Sequence, residues 1–159
     1  MQTVSVTETA ADAAGAFVEA FAEGWRAPTG RDAFAEHFEP WLDPQVRLIQ
    51  PQTPVLVGHR AFREQFVRPL FALVPDIHGT VNGWAYSGDT LYIEVTLEGT
   101  IGGRRVTVHS CDRVTLRDGV AIERIAYTDP TALLAAIART PRAWPRAIRQ
   151  QFSSRRRAR

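Results

Sequence analysis

Lysine is missing from this chain altogether, and cysteine and methionine occur once each, so all 19 basic residues are arginine. A lone cysteine, Cys111, excludes an internal disulfide and fits a reducing cytoplasm, the location expected here. The four histidines (His37, His59, His78 and His109) lack ligand spacing, and one cysteine adds little, so no metal or other cofactor is expected. No apolar run is long enough to cross a bilayer. No basic start followed by an apolar stretch comes after Met1, so a secretory signal is not expected either. Acids are missing from one region only. After Ala138 there are eight arginines and no Asp or Glu, whereas the first 138 residues carry eleven arginines against 17 acids. The overall charge of +2 therefore hides an acidic body and a basic tail, and no specific nucleic-acid partner is expected from it.

What is present suits one globular α+β domain. The chain has 159 residues, 45% of them apolar and 23% charged. We read residues 1–138 as the domain and 139–159 as a basic, partly disordered extension. Ala14, Phe17, Val18, Phe21 and Trp25 recur at three- and four-residue spacing and predict a first helix, with Thr9 and Asp12 at capping-box spacing. A short helix is expected over Asp32–Glu39, ended by Pro40, and a strand over Val46–Gln50. A third helix from His59 should bury Phe62, Phe66, Leu70 and Phe71, with Pro69 kinking or ending its first part. Four strands follow: Ile77–Tyr86, Thr90–Ile101, Arg104–Leu116 and Val120–Thr128. The turns Gly102-Gly103 and Asp118-Gly119 give strong hairpin signals. Asp129 caps a last helix with Pro130 at its first position.

The Gly102-Gly103 hairpin fixes which side chains share a face. Counting back from Ile101 opposite Arg104, Leu97 faces Val108, Val95 faces Ser110, Ile93 faces Asp112 and Leu91 faces Val114. That row is apolar except for Ser110 and Asp112, and a lone carboxylate inside must be paired, hydrogen-bonded or protonated. The other face carries Tyr92, Glu94, His109, Cys111 and Arg113. Counting on through Asp118-Gly119 without a bulge puts Tyr127 opposite Ser110 and diagonal to Asp112.

This order of elements resembles the nuclear transport factor 2-like superfamily, which includes SnoaL-like polyketide cyclases and ketosteroid isomerases. The residues that carry the resemblance are Asp112-Arg113-Val114-Thr115-Leu116-Arg117-Asp118-Gly119, then Tyr127-Thr128-Asp129, and Gly58 leading into Ala61, Phe62 and Phe66. It implies a cone-shaped roll: a curved, mostly antiparallel sheet wrapped around three N-terminal helices, with a pocket at the open end. It also implies that Asp112 matches the isomerases' oxyanion-hole aspartate, a carboxylic acid kept neutral by apolar surroundings. Three positions depart from the family's catalytic sets. Gln50 stands at the general-base aspartate, Phe17 at the helix-one tyrosine, and Ala126 at the last-strand acid.

Candidate catalytic residues are thus Asp112, Tyr127 and Gln50, and the expected ligand-binding residues are Phe17, Phe21, Trp25, Phe66, Ile93, Val108 and Ser110. Each has a plainer reading. Asp112 is equally a structural carboxylate bonded to a backbone amide or an arginine, Tyr127 a half-buried strand aromatic, and Gln50 an ordinary strand-end amide. His109 cannot meet Ser110 or Asp112, because strand neighbours point to opposite faces, so no hydrolase triad forms. Three functions compete. One is an isomerase, cyclase or dehydratase for a polycyclic or terpenoid-like molecule. The second is a ligand-binding module without chemistry. The third is an interaction domain, homodimeric through the outer sheet face.

Overall fold

The computed structural model describes residues 3–51 and 53–139. Helix α1 (Thr3–Arg26) buries Ala14, Phe17, Val18, Phe21 and Trp25, the stripe their spacing predicts. It starts earlier than expected. Thr9 and Asp12 lie inside the helix rather than at its cap, since no glycine or proline interrupts residues 3–9. Helix α2 (Arg31–Phe38) packs closely on α1 at Gly24, where an added Cβ would fall 2.5 Å from the Phe38 ring. Pro40 does not end the chain's helical course at once; it opens a 3-10 turn over Glu39–Trp41.

Strand β1 (Leu42–Ile49) begins ahead of Val46 and stops one residue short of Gln50. After the two-residue strand β2 (Leu56–Val57) comes one helical run: α3 (Gly58–Ala61), a π turn (Phe62–Val67) and α4 (Arg68–Leu73). The regular hydrogen-bond pattern breaks just ahead of Pro69, which has no N–H to return up the helix. The π turn projects Phe62 and Phe66 to the same side, their rings stacked at 5.7 Å.

Strands β3 (His78–Ser87), β4 (Thr90–Ile101), β5 (Arg104–Arg117) and β6 (Val120–Thr128) complete a curved, unclosed sheet of order β2-β1-β6-β5-β4-β3. All neighbours are antiparallel except β1 and β6, which run parallel. The inner face closes on α1, α2 and the helical run, with Leu48, Leu91, Ile93, Val95 and Val114 at its centre. Helix α5 (Thr131–Ala138) packs against β5, and the Asp129 carboxylate accepts the Thr131 N–H at 2.9 Å. Among the described residues no helix is long and apolar enough to cross a membrane. The expected extension over residues 139–159 lies, Arg139 apart, outside the described residues.

The β4–β5 pairing follows the count from Gly102-Gly103 residue for residue, with Ile93 opposite Asp112 and Val95 opposite Ser110. Both turn glycines have positive φ, as the tight hairpin requires. The β5–β6 pairing does not follow the simple count. Leu116 pairs with Ala121 but Thr115 pairs with Glu123, so Ile122 is an extra residue in β6. Every later side chain therefore changes face. Tyr127 sits opposite Cys111 on the outer side, 57% exposed, and Thr128 takes the place opposite Ser110. The energetic reason is readable. Without the bulge, Glu123 would join Asp112 inside while Arg124 faced water. With it, Glu123 faces out to Arg47 at 2.7 Å, and Arg124 turns in to Asp112.

Candidate functional site

Asp112 has no solvent exposure, and its carboxylate is engaged on both oxygens. The Nε–H of Arg124 donates to Oδ2 at 2.6 Å, and the Ser110 hydroxyl donates to Oδ1 at 3.3 Å. Ser110 Oγ lies 2.8 Å from Thr128 Oγ1, so a hydroxyl pair across β5 and β6 steadies the acid from one side while the guanidinium holds it from the other. This is an ion pair in apolar surroundings. The resemblance implies a carboxyl that faces a ligand; here Asp112 stands behind Arg124 and is not a wall residue of the cavity that Arg124 faces.

Arg124 faces the opposite way, into a cavity. Its guanidinium carbon lies 5.3 Å over the Phe66 ring, and its side chain is 15% exposed. The cavity, about 30 Å³, is walled by Phe17, Phe21, Trp25, Phe34, Phe38, Phe62 and Phe66 from the helices, and by Leu42, Leu48, Val114 and Ala121 from the sheet. Among the described residues Arg124 is the only charged one on its wall. Thus four of the seven expected ligand-binding residues, Phe17, Phe21, Trp25 and Phe66, come together here. Ile93, Val108 and Ser110 lie off the wall: Ile93 is core beneath the sheet face, Ser110 serves Asp112, and Val108 lies half-buried on β5 away from the cavity.

Gln50 is half-buried just past β1 and is not a wall residue either. Tyr127, on the outer face, is separated from Asp112 by the thickness of the sheet. Arg124 is the residue that local reading missed. The signal for it was indirect: only a register that turns Arg124 inward gives the buried Asp112 a cationic partner.

Other ionisable groups tie the frame together. Glu39 and Arg63 form a two-pronged bridge from the 3-10 turn to the π turn, with Arg63 Nη2–H donating to Oε2 at 2.8 Å. The hydrogen bond from Arg63 holds the Glu39 carboxyl below its ordinary value, against the opposing effect of burial. His37 and His59 donate Nε2–H to the backbone carbonyls of Ala20 and Leu42 at 2.7 and 2.8 Å, tying helices to their neighbours. Burial, with Asp112 and Glu94 nearby, pushes the Cys111 thiol up, so it is a poor source of thiolate.

Several solved structures share this architecture. A protein of Jannaschia sp. CCS1 assigned as a SnoaL-like polyketide cyclase superposes with a TM-score of 0.67 at 24% identity, over 82% of this chain and 94% of its own. TerC, crystallised with polyporic acid, gives a TM-score of 0.69 at 20% identity, over 79% and 98%. An LEH-like epoxide hydrolase of M. tuberculosis gives 0.62 at 18% identity, over 84% and 95%. At these identities the likeness establishes the fold. No curated protein matches the sequence. The family model of the SnoaL-like domain, however, matches residues 14–127, from the buried stripe of α1 to the end of β6, and the chain belongs to that family.

Proposed function

We propose that the protein binds a small, largely apolar molecule, polycyclic or terpenoid-like, in the aromatic cavity beside Arg124. One observation carries the reading: a recess walled by rings and aliphatic side chains, with Arg124 the single charged group among the described residues. At about 30 Å³ the recess holds little more than a water or two, so a ligand enters only as side chains part. Phe66 is the natural one to move. It is half-buried and rides on the π turn, where the backbone is already irregular.

The neutral fluorophore N-phenyl-1-naphthylamine tests this directly. Its emission should rise on binding, and Ala121→Leu, which fills the recess, should weaken binding by at least about tenfold with the far-ultraviolet dichroism unchanged. Equal binding by both proteins, or none by either, would remove the cavity from consideration.

Turnover is the second reading, and the buried Asp112–Arg124 pair favours it. A guanidinium fixed in apolar surroundings stabilises an oxyanion developing in isomerisation, cyclisation or dehydration. Against it, the cavity wall carries, among the described residues, no carboxylate, imidazole or phenol to move a proton. Small molecules captured by the protein and weighed after release separate the two: an unchanged mass means binding, loss of water means dehydration. We further propose a homodimer through the outer sheet face, supported by exposed Tyr92 and Tyr127 there.

A further inference from the structure

Building on the cavity as a binding site, we propose that its ligand carries two oxygen acceptors side by side on a planar apolar frame, either a carboxylate or a chelated keto–enol pair. Arg124 grips both oxygens.

A guanidinium has five N–H donors in one plane. Among the described residues Arg124 spends one of them, through Nε, on Asp112, and neither Nη1 nor Nη2 donates to a protein acceptor. The side chain is only 15% exposed, so these donors sit where an unmet hydrogen bond is costly. One face of the plane is covered by Phe66 at 5.3 Å. The approach left open is therefore along the Nη1–Nη2 edge, whose two parallel N–H groups fit two oxygens and not one. Asp112 acts as a positioning residue. Held by Ser110, and through it by Thr128, it fixes the rotation of the guanidinium and so the direction of that edge. The rings of Phe17, Phe21 and Trp25 then receive the flat frame.

Charge distinguishes the two ligand types. Asp112 and Arg124 together are neutral, so a carboxylate leaves the buried cluster at about one negative charge, while a chelated enol leaves it at zero.

Displacement of bound N-phenyl-1-naphthylamine tests the inference with three competitors of one frame: 2-naphthoate, the enolised diketone 2-naphthoylacetone, and 2-methylnaphthalene. At least one oxygenated competitor should displace the fluorophore at about tenfold lower concentration than 2-methylnaphthalene. The advantage should vanish in the double variant D112N/R124Q, which removes both charges together, each competitor being read relative to 2-methylnaphthalene on that variant. Should that variant not fold, Arg124→Lys serves instead, since it keeps the charge and loses the two-pronged edge. Equal displacement by all three, or an advantage that survives loss of the guanidinium, overturns the inference and leaves the cavity reading standing. Failure of the fluorophore to bind the unaltered protein overturns both.

Discussion

A carboxylate with no solvent exposure is tolerable at position 112 because Arg124 meets it at 2.6 Å and Ser110 supplies a hydroxyl. Removing one member strands the other in a medium that solvates it poorly. Arg124→Met should therefore lower stability by about 3–5 kcal/mol, and D112N/R124Q should recover a substantial part of that loss, as read from urea midpoints at constant slope. A double variant whose cost equals the sum of the two single costs would mean that the two side chains do not act as a pair. The Glu39–Arg63 bridge predicts a pH effect of known sign. Arg63 lowers the carboxyl's value in the folded state, so its stabilisation is complete above the unfolded value of about 4.3 and is lost as pH falls through the lower folded value. Glu39→Gln should flatten that part of the acid limb and leave stability above pH 6 dependent on pH as before, give or take about 0.5 kcal/mol. At this scale the sequence exposed half of the site. Asp112 announced itself as a charge in an apolar row, whereas its partner's identity turned on a register that no local pattern displays.

Among the elements, β4 and β5 were legible because Gly102-Gly103 leaves one turn geometry, and a period of two does the rest. The same counting failed across Asp118-Gly119 for a single reason, the extra residue Ile122, which sends Tyr127 out and Arg124 in. The parallel contact of β1 with β6 was hidden too, since it joins residues about 75 positions apart and leaves no local signature. The buried aromatic faces of α1 and of the run carrying Phe62 and Phe66, by contrast, followed from helical spacing, while a pocket beside them was implied only by the family resemblance. Two glycines of α1 make opposite predictions from identical chemistry. An added methyl at Gly15 meets nothing within 4 Å, so Gly15→Ala should raise stability by about 0.5–1 kcal/mol through helix propensity. At Gly24 the same methyl lands 2.5 Å from the Phe38 ring and 2.6 Å from the His37 ring, so Gly24→Ala should cost about 1–3 kcal/mol as α2 is pushed off. Thermal midpoints that move in the same direction for both would refute this account of the helix crossing.

At the scale of the whole molecule, the inner side of the sheet is spent on the core and cavity, so an association through the sheet has to use the outer side. That side is not uniformly polar. Tyr92 is 42% exposed and Tyr127 57%, and Ile49 and Ile125 lie half-buried beside them across β1 and β6. Tyrosine suits an interface because it offers large area with few torsions to freeze and a hydroxyl for the rim. The charges around it, Glu94 on β4 and Arg113 on β5, carry opposite signs and lie on neighbouring strands. A two-fold axis passing between these two side chains would bring each against its opposite in the partner copy, which makes the patch self-complementary in that arrangement. The proposed dimer is therefore expected to be sensitive to charge at its apolar centre. Tyr127→Glu should place like charges against each other across the axis and halve the mass seen by light scattering. Urea stability measured at low protein concentration should change by less than about 1 kcal/mol, because an exposed strand position contributes little to the fold itself. A native protein that already runs at the mass of one chain at high micromolar concentration would end the dimer proposal. The cavity reading would be untouched, since Arg124 and the aromatic walls lie on the other side of the sheet.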